Sequence, residues 1–249
     1  PALGMIPKMT KKNTPANFDG LITSSSPKSP IAEAYRALRT NIGFAAIDQK
    51  CRLLLITSTS PAEGKSTTAA NIAVAMAQSG NEVIIVDCDL RKPILSQIFK
   101  KDNKRGLTNH LIQDTPIKDV VQNVMENLDL LPSGPVPPNP SEMLSSKKIK
   151  HLWEELLNKY DYVIIDSPPL LAVTDAAIIA SQVEGVIMVV KSGQTRNDFA
   201  QNAKDQLRTA NARILGTVIN EIKNGTGGYQ YYHYYAQEEE PSKKGLFGR

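Results

Sequence analysis

Cysteine is scarce. Cys51 and Cys88 are the only two in 249 residues, too few for a disulfide framework and in keeping with a reducing compartment. No apolar run approaches the ~18 residues of a membrane span, and no secretory leader pattern opens the chain. A dominant charge is missing as well. The 29 Lys and Arg stand against 25 Asp and Glu, a formal net charge of +4 that is spread over both signs. Although Lys8, Lys11, Lys12, Lys243, Lys244 and Arg249 make the ends basic, this balance leaves no footprint for nucleic acid. With 41% hydrophobic and 22% charged residues, the chain has enough apolar material for one α/β domain with a sizeable core, plus tails.

What is present centres on residues 56–67. The apolar run Leu53-Leu54-Leu55-Ile56 reads as a buried parallel strand, and a helical pattern runs from Ser66 to Ser79. Between them lies Ser60-Pro61-Ala62-Glu63-Gly64-Lys65-Ser66-Thr67. A strand that ends in such a loop at a helix N-terminus aims several backbone N–H groups at one point, where the helix dipole favours an anion. Gly64 lets the backbone approach a phosphate, Lys65 reaches the β and γ oxygens, and the Ser66 hydroxyl suits Mg²⁺. The usual pattern places glycine where Thr59 stands, so the match is partial. The expectation is an ATP phosphate loop.

Residues 1–28 contain Pro1, Pro7, Pro15 and Pro27 and read as a linker. Ser29-Pro30 predicts a helix N-cap with proline at the first helical position. Ile31, Ala34, Tyr35, Leu38, Ile42 and Ala46 then give one buried face. Glu33, Arg36 and Arg39 repeat every three residues on another face, which by itself marks only a solvated row. Gly80 closes the phosphate-loop helix. Val83 to Asp87 is a second strand whose end carries Asp87, Asp89 and Arg91, at the carboxyl edge where α/β sheets bind ligands. Two carboxylates there fit metal or proton chemistry, with a capping role as the plainer alternative.

Pro93–Phe99, Leu107–Gln113 and Pro116–Val124 read as short helices, Leu128–Leu131 as a strand, and 132–140 as a stiff proline loop. Ser141 predicts the cap of a helix reaching Asn158, with Trp153 in the core. Tyr162-Val163-Ile164-Ile165-Asp166 has the Walker B form, apolar residues ending in a carboxylate that holds Mg²⁺ directly or through water. Val186–Val190 and Ile214–Ile219 add two strands around a helix from about Arg196 to Ala210. Asn220, at the end of the last strand, is a candidate contact to the base. Alternating strands and helices predict a doubly wound, mostly parallel α/β sheet of the P-loop NTPase type.

The end of the chain has a different character. After Gly225-Thr226-Gly227-Gly228, five of the eight tyrosines (Tyr229, Tyr231, Tyr232, Tyr234 and Tyr235) fall within seven residues, ahead of Glu238, Glu239 and Glu240. A flexible tail is the expectation, with three possible uses: a binding patch, a base-stacking platform, or phosphate acceptors. Stacking on nucleic acid wants interleaved Lys or Arg, which is absent. Acceptors are the best reading, because a phosphoryl donor site already exists in the chain.

Over residues 29–235 the sequence resembles the bacterial protein-tyrosine kinases of capsule and exopolysaccharide systems. The resemblance rests on residues 60–67 as Walker A and residues 84–91, ending Asp87-Cys88-Asp89-Leu90-Arg91, as an additional Walker A′. It also rests on residues 163–166 as Walker B, on Pro135-Val136-Pro137-Pro138-Asn139-Pro140-Ser141, and on the tyrosine cluster. Ala62 departs from the usual glycine. Glu33, Arg36 and Arg39 match the family's Glu-x-x-Arg-x-x-Arg interface motif, which implies a homo-oligomeric ring when unphosphorylated. The resemblance further implies a membrane adaptor of the polysaccharide co-polymerase type, fused or separate, a cognate tyrosine phosphatase, and a cytoplasmic place at the inner face of the cell membrane. Leu3-Gly4-Met5-Ile6-Pro7-Lys8 is similar to the stretch joining adaptor to kinase, so residues 1–249 are expected to be the cytoplasmic part of a longer membrane protein or an adaptor tail joined to a kinase.

The chemistry expected is tyrosine phosphorylation by ATP with Mg²⁺, beginning with the chain's own tail in trans. Ser60, Ala62, Glu63, Gly64, Lys65, Ser66, Thr67 and Asn220 would hold the nucleotide. Ser66, Asp89 and Asp166 would serve the metal, and Asp87 would receive the tyrosine hydroxyl. The organisation expected is a linker over 1–28, a kinase domain over 29–224 and a tail over 225–249. The rival reading is a partition or septum-positioning ATPase, but those carry an extra lysine where Ser60 stands. A GTPase reading fails because Asn220-Glu221-Ile222-Lys223 lacks the Asn-Lys-x-Asp guanine reader. The His-Arg-Asp and Asp-Phe-Gly motifs of eukaryotic kinases are absent.

Overall fold

The computed structural model describes residues 1–10, 20–47 and 49–223. The tail tyrosines and Glu238–Glu240 lie outside the described residues. In chain order the elements are β1 (Ala2–Pro7), α1 (Ile22–Ser25), α2 (Pro30–Ala45), β2 (Leu53–Ser58), α3 (Lys65–Ala77) and β3 (Val83–Asp87). There follow α4 (Leu95–Ile98), α5 (Leu107–Gln113), a 3₁₀ turn (Ile117–Asp119), β4 (Gln122–Met125), β5 (Leu128–Leu131), α6 (Pro140–Leu144) and α7 (Lys147–Lys159). Then come β6 (Tyr162–Asp166), α8 (Asp175–Ala180), β7 (Gly185–Lys191), α9 (Asn197–Thr209) and β8 (Ile214–Ile222).

The strands form one eight-stranded sheet in the order β1-β8-β7-β2-β6-β3-β5-β4. Every described pairing is parallel except β4 with β5. Side chains alternate across it as pleating demands. Leu54, Ile56, Val83, Ile85 and Ile164 pack with α2 and α3, whereas Leu53, Leu55, Ile84, Val86 and Ile165 pack with α7, α8 and α9. Both faces are therefore covered, which explains why the central strands are apolar throughout. Ser29 caps α2 by accepting from the Ala32 N–H at 3.1 Å, and Pro30 follows it. Trp153 lies in the core, as expected.

Three expectations need correction, and one stretch without an expectation is filled. Residues 2–7 are not linker: β1 pairs parallel with β8, with Met5 opposite Ile219, and Leu3 and Ile6 are buried. Pro7 is compatible with a strand because β1 lies at the sheet edge. Gly4 lets β1 close on α2, since a Cβ there would stand 3.1 Å from Leu38. Pro116–Val124 is a 3₁₀ turn leading into β4, an edge strand whose residues are only half-buried or exposed, so it shows little apolar alternation. The Ser141 helix is two helices, α6 and α7, broken at Ser145 and Ser146. Finally, α8 fills the stretch between β6 and β7 that carried no expectation, too short at six residues to show a helical period.

Candidate functional site

The loop from β2 to α3 wraps around the carboxylate of Glu63. That carboxylate accepts the N–H groups of Thr59 at 2.8 Å and Ser60 at 3.0 Å, and the Thr59 hydroxyl at 2.7 Å. The Thr195 hydroxyl, from the loop after β7, also donates to it. The Glu63 side chain is thus turned inward as a brace rather than toward a ligand. Ser60 likewise serves the loop's own geometry, its carbonyl accepting from the Ser58 hydroxyl at 2.8 Å. Ala62 has φ 62° and Gly64 φ 90°, both in the left-handed region. A glycine at 64 is required twice over, because a Cβ there would stand 2.1 Å from Nδ2 of Asn220. That same Nδ2 donates to the Glu63 carbonyl at 2.9 Å. Asn220 therefore lies inside β8 and holds the loop from below, a use not anticipated for it as a base contact.

Two carboxylates converge on Lys65. Its Nζ lies 2.9 Å from Asp89 Oδ2, 3.0 Å from the Ser66 hydroxyl and 3.5 Å from both oxygens of Asp166. Asp87 and Asp166 are register partners on β3 and β6, and the Ser66 hydroxyl is hydrogen-bonded to Asp166. Burial tends to lower the Lys65 pKa, but the Asp166 and Asp89 carboxylates outweigh it and raise it. Burial raises the Asp166 carboxyl. It also pushes Asp87 up to about 8, helped by Asp166 beside it and opposed by the Leu95 N–H.

Asp87, expected to receive the tyrosine hydroxyl, has both carboxylate oxygens engaged by the backbone. It is fully buried, and its oxygens accept the N–H groups of Asp89 at 3.2 Å and Leu95 at 3.1 Å. Asp89, just past the end of β3, forms part of the cavity wall, with its other oxygen accepting from the Lys92 N–H at 3.0 Å. Arg91 leaves the carboxylate group altogether. It grips buried Asp175, the first residue of α8, through Nε at 2.9 Å and Nη2 at 3.1 Å, while the Ser141 hydroxyl adds 2.7 Å to the same carboxylate.

The cavity above the loop has a volume of about 450 Å³, with Gly64, Lys65, Ser66, Thr67 and Asp89 on one side and Pro168 and Pro169 on the other. A smaller cavity of about 180 Å³ adjoins it over β8 and β1, where Asn220 and Glu221 meet Pro7, Lys8 and Met9. Among the described residues no group of three or more His, Cys, Asp or Glu is arranged to cage a metal. Mg²⁺ needs no such cage, since it keeps waters and takes one or two carboxylates plus substrate phosphates. The residues fit it: the Ser66 hydroxyl and the carboxylates of Asp89 and Asp166 all lie at Lys65 Nζ, two negative charges against one positive. Burial is the main cause that raises the Asp87 and Asp166 carboxyls, and neighbouring carboxylates add to it.

The expected interface row is partly internal. Arg36 pairs with Glu33 at 2.8 Å and reaches the Pro27 carbonyl, while Arg39 donates to the Ala75 carbonyl of α3 at 2.9 Å. Thr195, Ser141, Asp175 and the Pro168-Pro169 wall were missed. Each lies in a loop or helix start that shows no periodicity, and only the double proline two residues after the Walker B aspartate offered a signal.

A strand, a phosphate loop and carboxylates beyond the neighbouring strands define a P-loop nucleotide-binding protein, and residues 61–222 match the AAA domain family. The chain is 44% identical over 220 residues to tyrosine-protein kinase YwqD of Bacillus subtilis, covering 88% of this chain and 92% of that one. It superposes on the chimerical protein CapA2B2 with a TM-score of 0.83 and 40% identity, covering 90% of this chain and 95% of the other. At greater distance stands the septum site-determining protein MinD of Pyrococcus horikoshii, solved with Mg-ADP, with a TM-score of 0.59 and 27% identity over 68% of this chain and 70% of that one. The chain belongs to the bacterial protein-tyrosine kinases. Among the described residues no helix is long and apolar enough to cross a membrane.

Proposed function

We propose that the chain phosphorylates tyrosine with ATP and Mg²⁺, that the tail residues Tyr229, Tyr231, Tyr232, Tyr234 and Tyr235 are its first acceptors in trans, and that it regulates capsular or exopolysaccharide synthesis and export. The observation that carries the reading is Lys65 Nζ held between Asp89 and Asp166 at the mouth of the phosphate loop. When ATP enters, the N–H groups from Gly64 to Thr67 cradle its phosphates, and Lys65 turns from the carboxylates to the β and γ oxygens. Ser66 and Asp166, with Asp89, are the residues that would hold Mg²⁺. Bound there, the ion neutralises charge on the transferring phosphoryl group.

In this reading Asp89 rather than Asp87 takes the hydrogen bond of the incoming phenol, which its position in the cavity wall supports. Asp87 positions it by accepting its backbone N–H. The phenol oxygen forms its bond to the γ phosphorus as the bond to the ADP oxygen breaks; ADP keeps the electron pair and the phenol proton passes to Asp89. A phenol of pKa ~10 asks less of that base than a serine would. Regulation would involve a membrane adaptor, fused or separate, at the inner face of the membrane. It would also involve a tyrosine phosphatase and a ring held through Glu33, Arg36 and Arg39.

The test is incubation of the full chain and of Lys65→Met with labelled ATP and Mg²⁺. Phosphotyrosine mapping to the tail in the first and absent from the second is expected. Undiminished labelling of a folded Lys65→Met protein would remove the kinase reading. The side chain is only 12% exposed and ion-paired, so thermal unfolding must be measured alongside.

A further inference from the structure

The two cavities leave the phosphate loop in opposite directions, and this assigns a place to the acceptor. They share Gly64, Thr67 and Glu221. The smaller one opens over β8 and β1, on one side of β2 in the sheet order. The larger one opens over the ends of β6 and β3, on the other side, where Lys65 points at Asp89 and Asp166. Because Lys65 marks the β and γ phosphates, the nucleoside end of ATP extends toward β8 and β1. In-line transfer brings the acceptor oxygen to the γ phosphorus from the face opposite the departing ADP oxygen. That face is the β6 and β3 side.

Beside Arg91 and Lys92, which also line this side, the wall has a stiff apolar part. It consists of Ile94, Pro168, Pro169, Ala172 and Val173, with Ile94 38% exposed despite its size. The prolines offer no N–H to compete for the phenol oxygen. Their loop is tied to the end of β2 and the first residue of the phosphate loop: Leu170 N–H donates to the Ser58 carbonyl at 2.8 Å, Leu171 N–H to the Thr59 carbonyl at 3.3 Å, and the Thr57 hydroxyl to the Pro168 carbonyl at 3.1 Å. The wall therefore keeps a fixed distance from the phosphate loop. We propose that these five residues form the slot that receives the acceptor's phenol ring, setting its hydroxyl beside Asp89. The slot selects tyrosine over serine because only a flat aromatic ring both covers the apolar wall and spans the gap to the phosphate.

This assignment rests on the kinase reading above, and the experiment separates the two. The full chain, Ile94→Asp and Ala172→Phe are assayed with a synthetic peptide carrying one tyrosine. Peptide phosphotyrosine is counted apart from tail phosphotyrosine, and a fluorescent ATP analogue reports nucleotide affinity. Both positions are exposed, so both variants should fold; the first puts charge into the slot and the second fills it. The expected result is a rise of about tenfold or more in peptide KM, about 1.4 kcal/mol, with nucleotide affinity within about twofold of wild type. A comparable loss of nucleotide affinity with peptide KM unchanged would reassign the wall to ATP, and no change in either constant would place the acceptor elsewhere. A wild-type chain that phosphorylates neither peptide nor tail would overturn the kinase reading and the slot with it.

Discussion

Replacing Gly64 by alanine should damage the protein through Asn220, and a double-mutant cycle can show it. Gly64 has φ 90°, where a Cβ costs roughly 1–2 kcal/mol by backbone strain alone. The new methyl would also stand 2.1 Å from Nδ2 of Asn220 and expel it from the Glu63 carbonyl, a bond of 2.9 Å in a buried setting. Leaving those groups unpaired costs about 1–3 kcal/mol. Gly64→Ala should therefore lose about 2–5 kcal/mol, and Asn220→Ala about 1–3 kcal/mol by the same orphaned carbonyl. In the double variant the clash has gone and the hydrogen bond is lost only once. Its cost should match Gly64→Ala alone, giving a coupling of about 1–3 kcal/mol between the two sites. Urea unfolding of the four proteins supplies the cycle, with nucleotide titration as a second reading of loop geometry. Strictly additive losses would show that the glycine is needed for its φ only and that Asn220 does not hold the loop.

The parts of the site that were legible in the sequence are those where chemistry and backbone coincide. Gly64, Lys65, Ser66 and Thr67 had to be contiguous because a single turn presents them, and Asp166 had to end an apolar strand because the strand aims it. Asp87 and Asp89 were legible as a pair but not as individuals. Extended geometry would have set both on one face, whereas β3 ends at Asp87 and the chain turns, so Asp87 faces inward and Asp89 faces the cavity. Glu63 and Asn220 look like ligand residues for the same reason that they are braces: a polar side chain near a phosphate loop can serve the ligand or the loop. Only the partners decide. Arg91 and Asp175 are 84 positions apart, and no local pattern connects them. β1 was hidden by Pro7 within it and Pro1 just before it, which made an apolar stretch read as linker although an edge strand tolerates proline. The doubly wound sheet itself was legible because the largely buried parallel strands β2, β3, β6 and β7 leave apolar runs that nothing else explains.

Three further outcomes are expected. Ala62→Gly relieves a non-glycine φ of 62° and should raise the unfolding free energy by up to about 1 kcal/mol, measurable by urea titration, without loss of nucleotide affinity. Arg91→Ala leaves buried Asp175 to Ser141 alone and should cost about 1–3 kcal/mol. Burial by itself would raise the Asp175 carboxyl, but hydrogen bonds from Arg91 and Ser141 hold it below the usual carboxylate range. A depressed folded pKa means that the stabilisation is complete above the unfolded value of ~3.9 and is lost as pH falls through the folded one. The gap between wild type and Arg91→Ala should therefore be full at neutral pH and close below about pH 4; a constant gap would sink this account.

The last outcome concerns the row Glu33, Arg36 and Arg39, which has two possible jobs. Arg39 already holds α3 through the Ala75 carbonyl, so Arg39→Ala should cost the monomer about 0.5–1.5 kcal/mol whatever the oligomer does. Glu33 and Arg36 form an exposed pair at i,i+3, worth only about 0.2–0.5 kcal/mol to the helix, and the Arg36 bond to the Pro27 carbonyl is also at the surface. The pair is thus the clean probe. Changing Glu33 and Arg36 together to alanine should leave the unfolding midpoint almost unmoved yet convert a ring into monomers by light scattering, with weak tail phosphorylation. Phosphorylated wild type should also be monomeric, because each phosphate adds about −1.5 to −2 charges to a tail that must approach Asp87, Asp89 and Asp166. If the double variant keeps its mass and its activity, the row is a helix-packing device and the subunits meet elsewhere. If a phosphorylated ring persists, charge on the tail is not what releases it.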